Sequence, residues 1–360
     1  MPTLSSVIHR VSRLIPQQIE SQSWDVKKEE NPITYTLPKN YNELPENLKY
    51  YYKLTTKIDA TKAFILNNVF VYQGGMVFKG LKFFVPSLPE KWLIDHVKYD
   101  ILVAQWVSKK KYIVENEVAL IFDQWSSVNY YHWIIDSLPR LLLLRDSFPN
   151  CKVILPYPTS SYIVKTASLL GFKDFLFVKN QELVHFKKLI LIGHTSPPKF
   201  HSTLMIRRLR DELLQAVHIN QVSNKRKLYI SRSKQTVRRL LNESEILPIL
   251  KKYNFEIITF EGMSFEDQVQ IINTSEIIVS THGANLTNIL FATPGATVIE
   301  MHNKRTDNFL YFRLCTNLNL NYYSVPCEAS QYVDNDGDLE VNIEYLESVI
   351  VRAIENTSST

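Results

Sequence analysis

The chain has 360 residues, 45% hydrophobic and 21% charged, with 41 Lys and Arg against 36 Asp and Glu for a net charge of +5. That apolar content fills packed cores, so disordered and collagen-like classes are excluded, and the length is that of about two domains. Three cysteines (Cys151, Cys315, Cys327) without a CxxC pair exclude a disulfide framework and a structural zinc pattern, and the mildly basic balance suits an anionic ligand or surface without demanding nucleic acid.

Residues 1–60 read as an irregular lead-in, interrupted by Pro32, Pro38 and Pro45. Within it, Ser5 to Ile15 alternates apolar and basic residues as a weak amphipathic helix would, although a packed or frayed segment is the plainer reading. The most apolar stretch, WIIDSLPRLLLL at 133–144, contains Asp136, Pro139 and Arg140. It falls short of the roughly 18–20 apolar residues of a membrane span. The start lacks an apolar stretch of signal-peptide length, so a soluble protein is expected.

From 60 to 122 the pattern is strand-like, with FILNNVFVY at 64–72 and KFFVP at 82–86. A helix fits 130–146, with Asn129 as its N-cap. Strands at CKVILPY, DFLFV and KKLILIG then alternate with helices at SSYIVKTASLLGF and near 203–217. The polar stretch 218–226 reads as a linker. Beyond it, strands KLYIS, FEIITF, EIIVST, TVIEM and YYSVP alternate with helices at 243–253, 264–274, 285–292 and 307–317, and a last helix covers 342–355. Short buried strands between amphipathic helices predict a doubly wound parallel sheet. The expected fold is α/β, two Rossmann-like domains facing a cleft, the first over 61–220 and the second over 221–360.

In open α/β sheets ligands bind beyond the carboxyl ends of the strands, so residues just after each strand become candidates. In the second domain these are Arg232 after KLYIS, Glu261 after FEIITF, His282, Gly283, Ala284 and Asn285 after EIIVST, and Glu300 closing TVIEM. A glycine at a strand-to-helix junction lets the backbone approach a ligand, and the helix start offers N–H groups to a phosphate. Lys234, Arg238 and Arg239 add positive charge nearby. The set suits a diphosphate such as that of a sugar nucleotide. Arg232 and the 283–285 amides would hold the phosphates, His282 the phosphate or sugar, Glu300 the ribose hydroxyls, and Glu261 would lie toward the base. Singly, the same features are a turn glycine, a turn histidine and a solvated basic face. No GxGxxG is present, so a dinucleotide cofactor has little support. DNDGD at 334–338 resembles part of a calcium loop but lacks the closing Glu, and reads as a surface turn.

The block RKLYISRSKQTVRRLLNESEI, followed by FEDQVQIINTSEIIVSTHGANLTNILFATPGATVIEM, resembles glycosyltransferase family 61. The resemblance rests on Arg232, the pair Arg238-Arg239 before Asn242-Glu243, the pair Asp267-Gln268 (with Asp where many relatives have Glu), and the turn from His282 to Asn288. NYYHWIIDSLPRLLLL at 129–144 is similar to the family's first-domain motif. The resemblance implies a GT-B architecture with an acceptor-side first domain and a nucleotide-sugar-binding second domain. It further implies inverting transfer from a nucleotide sugar, mostly UDP-linked, to a glycan or lipid-linked glycan acceptor, with no metal or other cofactor required. Eukaryotic members sit in the secretory lumen behind a membrane anchor. With none read here, the expectation is the bacterial-type enzyme of surface or capsular polysaccharide synthesis, cytoplasmic or at the inner face of the plasma membrane, with no nucleic-acid partner.

On the acceptor side, His132 and Asp136 lie four apart on a predicted helix, hence on one face. His132, oriented by Asp136, suits the base that deprotonates an acceptor hydroxyl; Asp136 itself competes for that role. Asn129 and Asp123 precede the same helix. The plain alternative has His132 packing the helix start and Asp136 pairing with Arg140. Other functions stay open: a GT-B-like polysaccharide pyruvyl transferase, a non-catalytic sugar-nucleotide or glycan-binding module, and a nucleic-acid binder using 225–239, which steep salt dependence would reveal.

Overall fold

The computed structural model describes residues 19–80, 82–90, 93, 110–114, 117–179, 182–219, 225–330 and 337–358; Ser5–Ile15, Asp334 and Asp336 lie outside them. It divides into one unit of Met1–Glu30 with Ile58–Pro198 and another of Asn31–Lys57 with Lys199–Thr360. The lead-in is therefore shared between the units. The helix Thr203–Val217 groups with the second, where Arg207 Nε donates to the carbonyl of Asn317 at 2.7 Å.

The first unit holds a nine-stranded sheet. Its strands are β1 (Gln22–Lys27), β2 (Thr61–Tyr72), β3 (Met76–Lys79), β4 (Lys82–Phe83), β5 (Lys110–Val114), β6 (Val118–Leu120), β7 (Lys152–Tyr157), β8 (Phe175–Lys179) and β9 (Leu183–Ile192). The order β8-β7-β6-β9 is parallel, as the alternation with α1 (Leu138–Ser147) and α2 (Ser161–Leu169) predicts. Beyond β9 the sheet continues antiparallel through β2, β3 and β4. It is thus a mixed sheet rather than a purely Rossmann-like one. The glycine-punctuated stretch at 73–80 turns the chain straight back instead of sending it over the sheet in a helix. Central strands are apolar throughout, with Val118–Leu120 and Leu189–Ile192 all buried.

The second unit carries a six-stranded sheet of order β11-β10-β12-β13-β14-β15. These strands are β10 (Arg226–Ile230), β11 (Glu256–Ile258), β12 (Ser275–Thr281), β13 (Thr297–Asn303), β14 (Asn321–Ala329) and β15 (Leu339–Glu340). All pairs are parallel except β14–β15. Period-two patterning separates the faces. Tyr229, Ile277, Val279, Ile299, Met301, Tyr323 and Val325 share an apolar core with Ile246, Leu250, Leu346 and Ile350 from the helices α3 (Glu243–Lys252) and α4 (Ile343–Ser358).

The residues between them, Glu300, His302, Tyr322 and Ser324, are buried on the opposite face and satisfied by a polar network. Tyr52 donates to Ser324 Oγ at 2.8 Å, and Asn40 bonds both the carbonyl and the amide of Ser324. Residues near the chain start thereby complete the second unit.

In both sheets the strand order reverses at one place, and there the carboxyl ends of two parallel strands open a crevice. In the first unit the chain steps from β6 through β7 to β8 and resumes at β9 on the other side of β6. In the second it steps from β10 to β11 and resumes at β12 on the other side of β10.

Candidate functional site

At the β10/β12 reversal the residues following the strands are Ser231-Arg232 and His282-Gly283. Arg232 is 5% exposed; Nη2 donates to the carbonyl of Val237 at 3.1 Å and Nε to that of Arg238 at 3.3 Å. Its guanidinium lies against Gly283 so closely that a Cβ there would stand 2.1 Å from Nη1 and 2.6 Å from Cζ. Gly283 has extended backbone (φ 164°, ψ 170°) that any residue adopts, so glycine is required here for the close approach. Tyr311 fixes the turn by donating to the Gly283 carbonyl at 2.6 Å.

The helix expected over 285–292 is a 3-10 helix, Ala284–Phe291, with Gly283 at its N-cap. Ala284 and Asn285 are half-buried at its start, and the Asn285 side-chain amide nitrogen is sealed from solvent with no hydrogen-bond partner among the described residues. His282 is 6% exposed, with its amide bonded to the Met301 carbonyl at 2.7 Å and Nδ1 on Glu300 Oε1 at 2.5 Å.

The structure separates the remaining expected ligand groups into different roles. Glu300 does not face a ribose. Strand β13 continues past it to Asn303, and both its oxygens are engaged, Oε1 by His282 and Oε2 by the Tyr322 hydroxyl at 2.7 Å. Arg239 turns to Asp338, with Nη2 at 2.7 Å and Nε at 3.1 Å from Oδ2, and that ion pair raises its pKa. It is therefore neutralised away from a diphosphate, and Asp338 serves as its partner. Arg238 is half-buried at φ 56°, and its carbonyl receives Arg232. Glu261 is exposed and accepts from Gln235, joining the loops after β11 and β10.

Other motif residues hold the frame. Asn242 bonds the amide and carbonyl of Val341 at 3.1 and 2.9 Å, and Glu243 accepts from Tyr229 at 2.7 Å and Ser231 at 2.6 Å. Asp267 completes an N-terminal helix cap: Ser264 Oγ accepts from its amide at 3.1 Å and donates to its carboxylate at 2.6 Å. Gln268 accepts from Asn288 at 3.0 Å, tying the helix to the ligand turn.

At the β6/β9 reversal of the first unit, a second cluster forms. The helix beginning at Tyr130 runs as a π-helix over His132–Ser137 before becoming α1, and such turns recur at functional sites. His132 Nδ1 donates to Asp136 Oδ2 at 2.7 Å, both side chains about a quarter exposed. The bond fixes the tautomer and leaves Nε2 to accept a proton. Burial pulls the His132 pKa down, but the Asp136 hydrogen bond and charge outweigh it, so the net shift is upward. The Trp125 and Tyr131 rings flank the imidazole with centroids at 5.0 and 5.1 Å.

Asn129 is a cap: its side chain accepts from the Tyr131 amide at 2.9 Å. Asp123 is 1% exposed, and its Oδ1 accepts from the amides of Trp125 and Ser126, each at 3.0 Å. Arg140 pairs with Asp123 (3.6 Å) and not with Asp136, and donates from Nε to the Ile192 carbonyl at 2.7 Å. Burial lowers its pKa to about 10, against the raising effect of Asp123 and Asp136. His194, just after β9, stands 3.7 Å from Asp123 and is held below its ordinary pKa by burial and then by Arg140. Arg140, expected beside Asp136, instead joins Asp123, and His194 was not among the expected residues. His194 was available to the same after-the-strand rule, applied to the first unit.

A family model described as Glycosyltransferase 61 matches residues 130–299. The chain is 27% identical over 227 residues to protein O-linked-mannose beta-1,4-N-acetylglucosaminyltransferase 2 of Takifugu rubripes, covering 58% of this chain and 36% of that protein. It is 27% identical over 207 residues to the EGF domain-specific O-linked N-acetylglucosamine transferase of Rattus norvegicus, covering 49% of this chain and 39% of that one. The matches thus span under two fifths of these curated relatives. Among solved structures, E. coli heptosyltransferase WaaC with ADP is similar at 10% identity and a TM-score of 0.35, over 69% of this chain and 100% of that one; a likeness of that size carries no argument.

The contact between Arg232 and Gly283 yields a test. Gly283→Ala should destabilise the protein by about 1–3 kcal/mol through overpacking. Added to Arg232→Ala, the same change should cost markedly less, because the clash is gone. Urea denaturation of the two single mutants and the double mutant measures this. Additive costs would show that the side chains do not meet.

Proposed function

Residues 130–299 belong to glycosyltransferase family 61, and from that premise we propose that the chain is an inverting glycosyltransferase acting on a nucleotide sugar. The observation that carries the reading is the buried Arg232 guanidinium laid on Gly283 where the parallel sheet reverses its order. A cation, the amides opening the 3-10 helix and His282 belong to the turns that follow these two strands, a set suited to a diphosphate. The donor is a UDP-sugar, and N-acetylglucosamine is the sugar named for the relatives above. The acceptor is a glycan hydroxyl. The GT-B plan, action on surface polysaccharide at the cytoplasmic face of a membrane, and transfer without a metal belong to the same proposal.

Inverting transfer joins the acceptor oxygen to the anomeric carbon as the bond from that carbon to the β-phosphate oxygen breaks; in the first unit the His132–Asp136 pair suits a base for a hydroxyl proton, and in the second Arg232 and His282 suit the charge of a departing diphosphate. Protein cations thereby do the neutralising that a divalent metal does elsewhere.

Two results test the proposal. Uridine diphosphate at about 100 times its Kd should stabilise the protein by about 2.7 kcal/mol, and Arg232→Ala should remove most of that gain; an unchanged gain removes Arg232 from the donor site. Turnover that is lost in EDTA and restored by manganese contradicts the metal-free mechanism. For the base, His132→Ala should lower kcat by about 10²–10⁴ with UDP affinity kept. Because the base must be neutral and its pKa is raised, kcat/KM should climb with pH through a value above the ordinary imidazole range. Asp136→Asn removes the raising partner, so that limb should move to lower pH. A near-inactive Asp136→Asn beside a merely impaired His132→Ala would make Asp136 the base.

A further inference from the structure

Trp125 and Trp133 lie two helical turns apart and are used differently. Trp133 is fully buried, and its indole N–H donates to Thr166 Oγ1 at 2.9 Å, the satisfied arrangement of a core tryptophan. Trp125 is half-buried. It packs against the apolar cluster that includes Met76, Phe78 and Leu183, and its ring lies beside His132 with centroids 5.0 Å apart at 42°. The core uses all of the first ring, whereas the second keeps surface that the core does not use.

Spacing explains that placement. Trp125, Asn129, His132 and Asp136 fall at i, i+4, i+7 and i+11, one face of a helical stretch. The amides of Asn129 and Trp133 continue the stretch by donating to the carbonyls of Trp125 and Asn129, each at 3.0 Å. The turn is also held from outside, since Asp123 Oδ1 accepts from the Trp125 amide at 3.0 Å. Gly74 (φ 69°) and Gly75 (φ 80°), in the turn between β2 and β3, pack directly on its start. A Cβ on Gly74 would stand 2.9 Å from the Gln124 Cα, and one on Gly75 would stand 2.6 Å from the Phe122 carbonyl oxygen. Trp125 is thus set in place before any ligand arrives, which removes an ordering cost from binding.

A polar neighbour is preset on the same face. The half-buried Asn129 commits its side-chain oxygen to the Tyr131 amide at 2.9 Å, so its amide nitrogen is the end left to meet a hydroxyl. A pyranose carries hydroxyls on its rim and C–H groups on its faces. The rim suits an amide and an imidazole nitrogen, and the faces suit the electron-rich face of an indole. A hydroxyl within about 2.6–3.2 Å of His132 Nε2 brings the ring that bears it to the adjacent indole. We propose that Trp125 is the platform on which the pyranose ring of the acceptor stacks, a specificity-determining residue that favours a ring-borne hydroxyl over the mobile hydroxyl of a peptide or a lipid alcohol. The inference rests on the acceptor side proposed above and deepens it, from a hydroxyl to a ring with a stacking face.

Saturation-transfer NMR on the full chain with uridine diphosphate tests this. The probes are methyl β-glucoside, methyl β-galactoside, methyl α-mannoside and methyl β-N-acetylglucosaminide, with glycerol as the acyclic control. Ring C–H protons of at least one glycoside should receive saturation, and glycerol should not. Trp125→Leu, which keeps apolar packing against the cluster without an aromatic face, should weaken the Kd of that glycoside by about tenfold. Trp125→Phe should recover most of the loss, and the uridine diphosphate Kd should stay unchanged in both variants. Should Trp125→Leu fail to fold, the wild type answers alone: the glycoside should shift the indole N–H resonance of Trp125 and leave that of Trp133 in place. Glycoside binding that persists in Trp125→Leu, or is absent from the wild type, would overturn the inference while leaving the donor site standing. Uridine diphosphate bound tenfold more weakly by Trp125→Leu would overturn it by giving the ring to the nucleobase. Failure of the wild type to bind uridine diphosphate would overturn the donor site, and the glycoside measurements on the chain without nucleotide would still decide the platform.

Discussion

The placement of the Arg232 guanidinium flat on the Cα of Gly283 constrains the ligand turn more than any other contact in the second unit. A side chain on residue 283 of any kind would displace the cation, and displacement would break its bonds to the carbonyls of Val237 and Arg238. Those carbonyls belong to the loop that Asn242 and Glu243 secure, through Val341 on one side and through Tyr229 and Ser231 on the other. The family motif is therefore mostly scaffolding. A few residues present charge, and the others fix the loop from which they do so.

Both units place polar groups where parallel strand order reverses, the position at which open α/β sheets form a crevice. The two reversals are furnished differently. In the second unit the buried acid, Glu300, is paired with the buried His282. In the first, Asp123 is engaged by its turn and by Arg140, while the pair His132–Asp136 is about a quarter exposed. Both reversals hold an imidazole on a carboxylate; what sets the second apart is the buried Arg232 cation beside it.

Most of the strands, and the turn that follows β12, were legible in the sequence because parallel, doubly buried strands leave near-continuous apolar runs and the residues after them stand out. Side-chain partners were not. Arg239 and Asp338 are separated by 99 positions, and nothing local marks either as the other's partner. Glu300 looked like a rim residue because TVIEM ends the apolar run, whereas the strand continues through His302, whose polarity is satisfied by Ser324 on the neighbouring strand. The antiparallel half of the first sheet and the division of the lead-in escaped for a related reason. Both depend on long-range pairing, β2 with β9 and Asn40 with Ser324, that hydrophobic periodicity does not encode. Asn129 shows the reverse case, since the cap read from the sequence is the role the structure gives it.

Amide hydrogen exchange with and without uridine diphosphate addresses the central claim, that an anionic nucleotide is held at the β10/β12 reversal. The account predicts added protection concentrated in the segments 231–239 and 282–288, with little change in the strands of the first unit. Protection confined to the cluster around His132, or spread evenly over the chain, would contradict it.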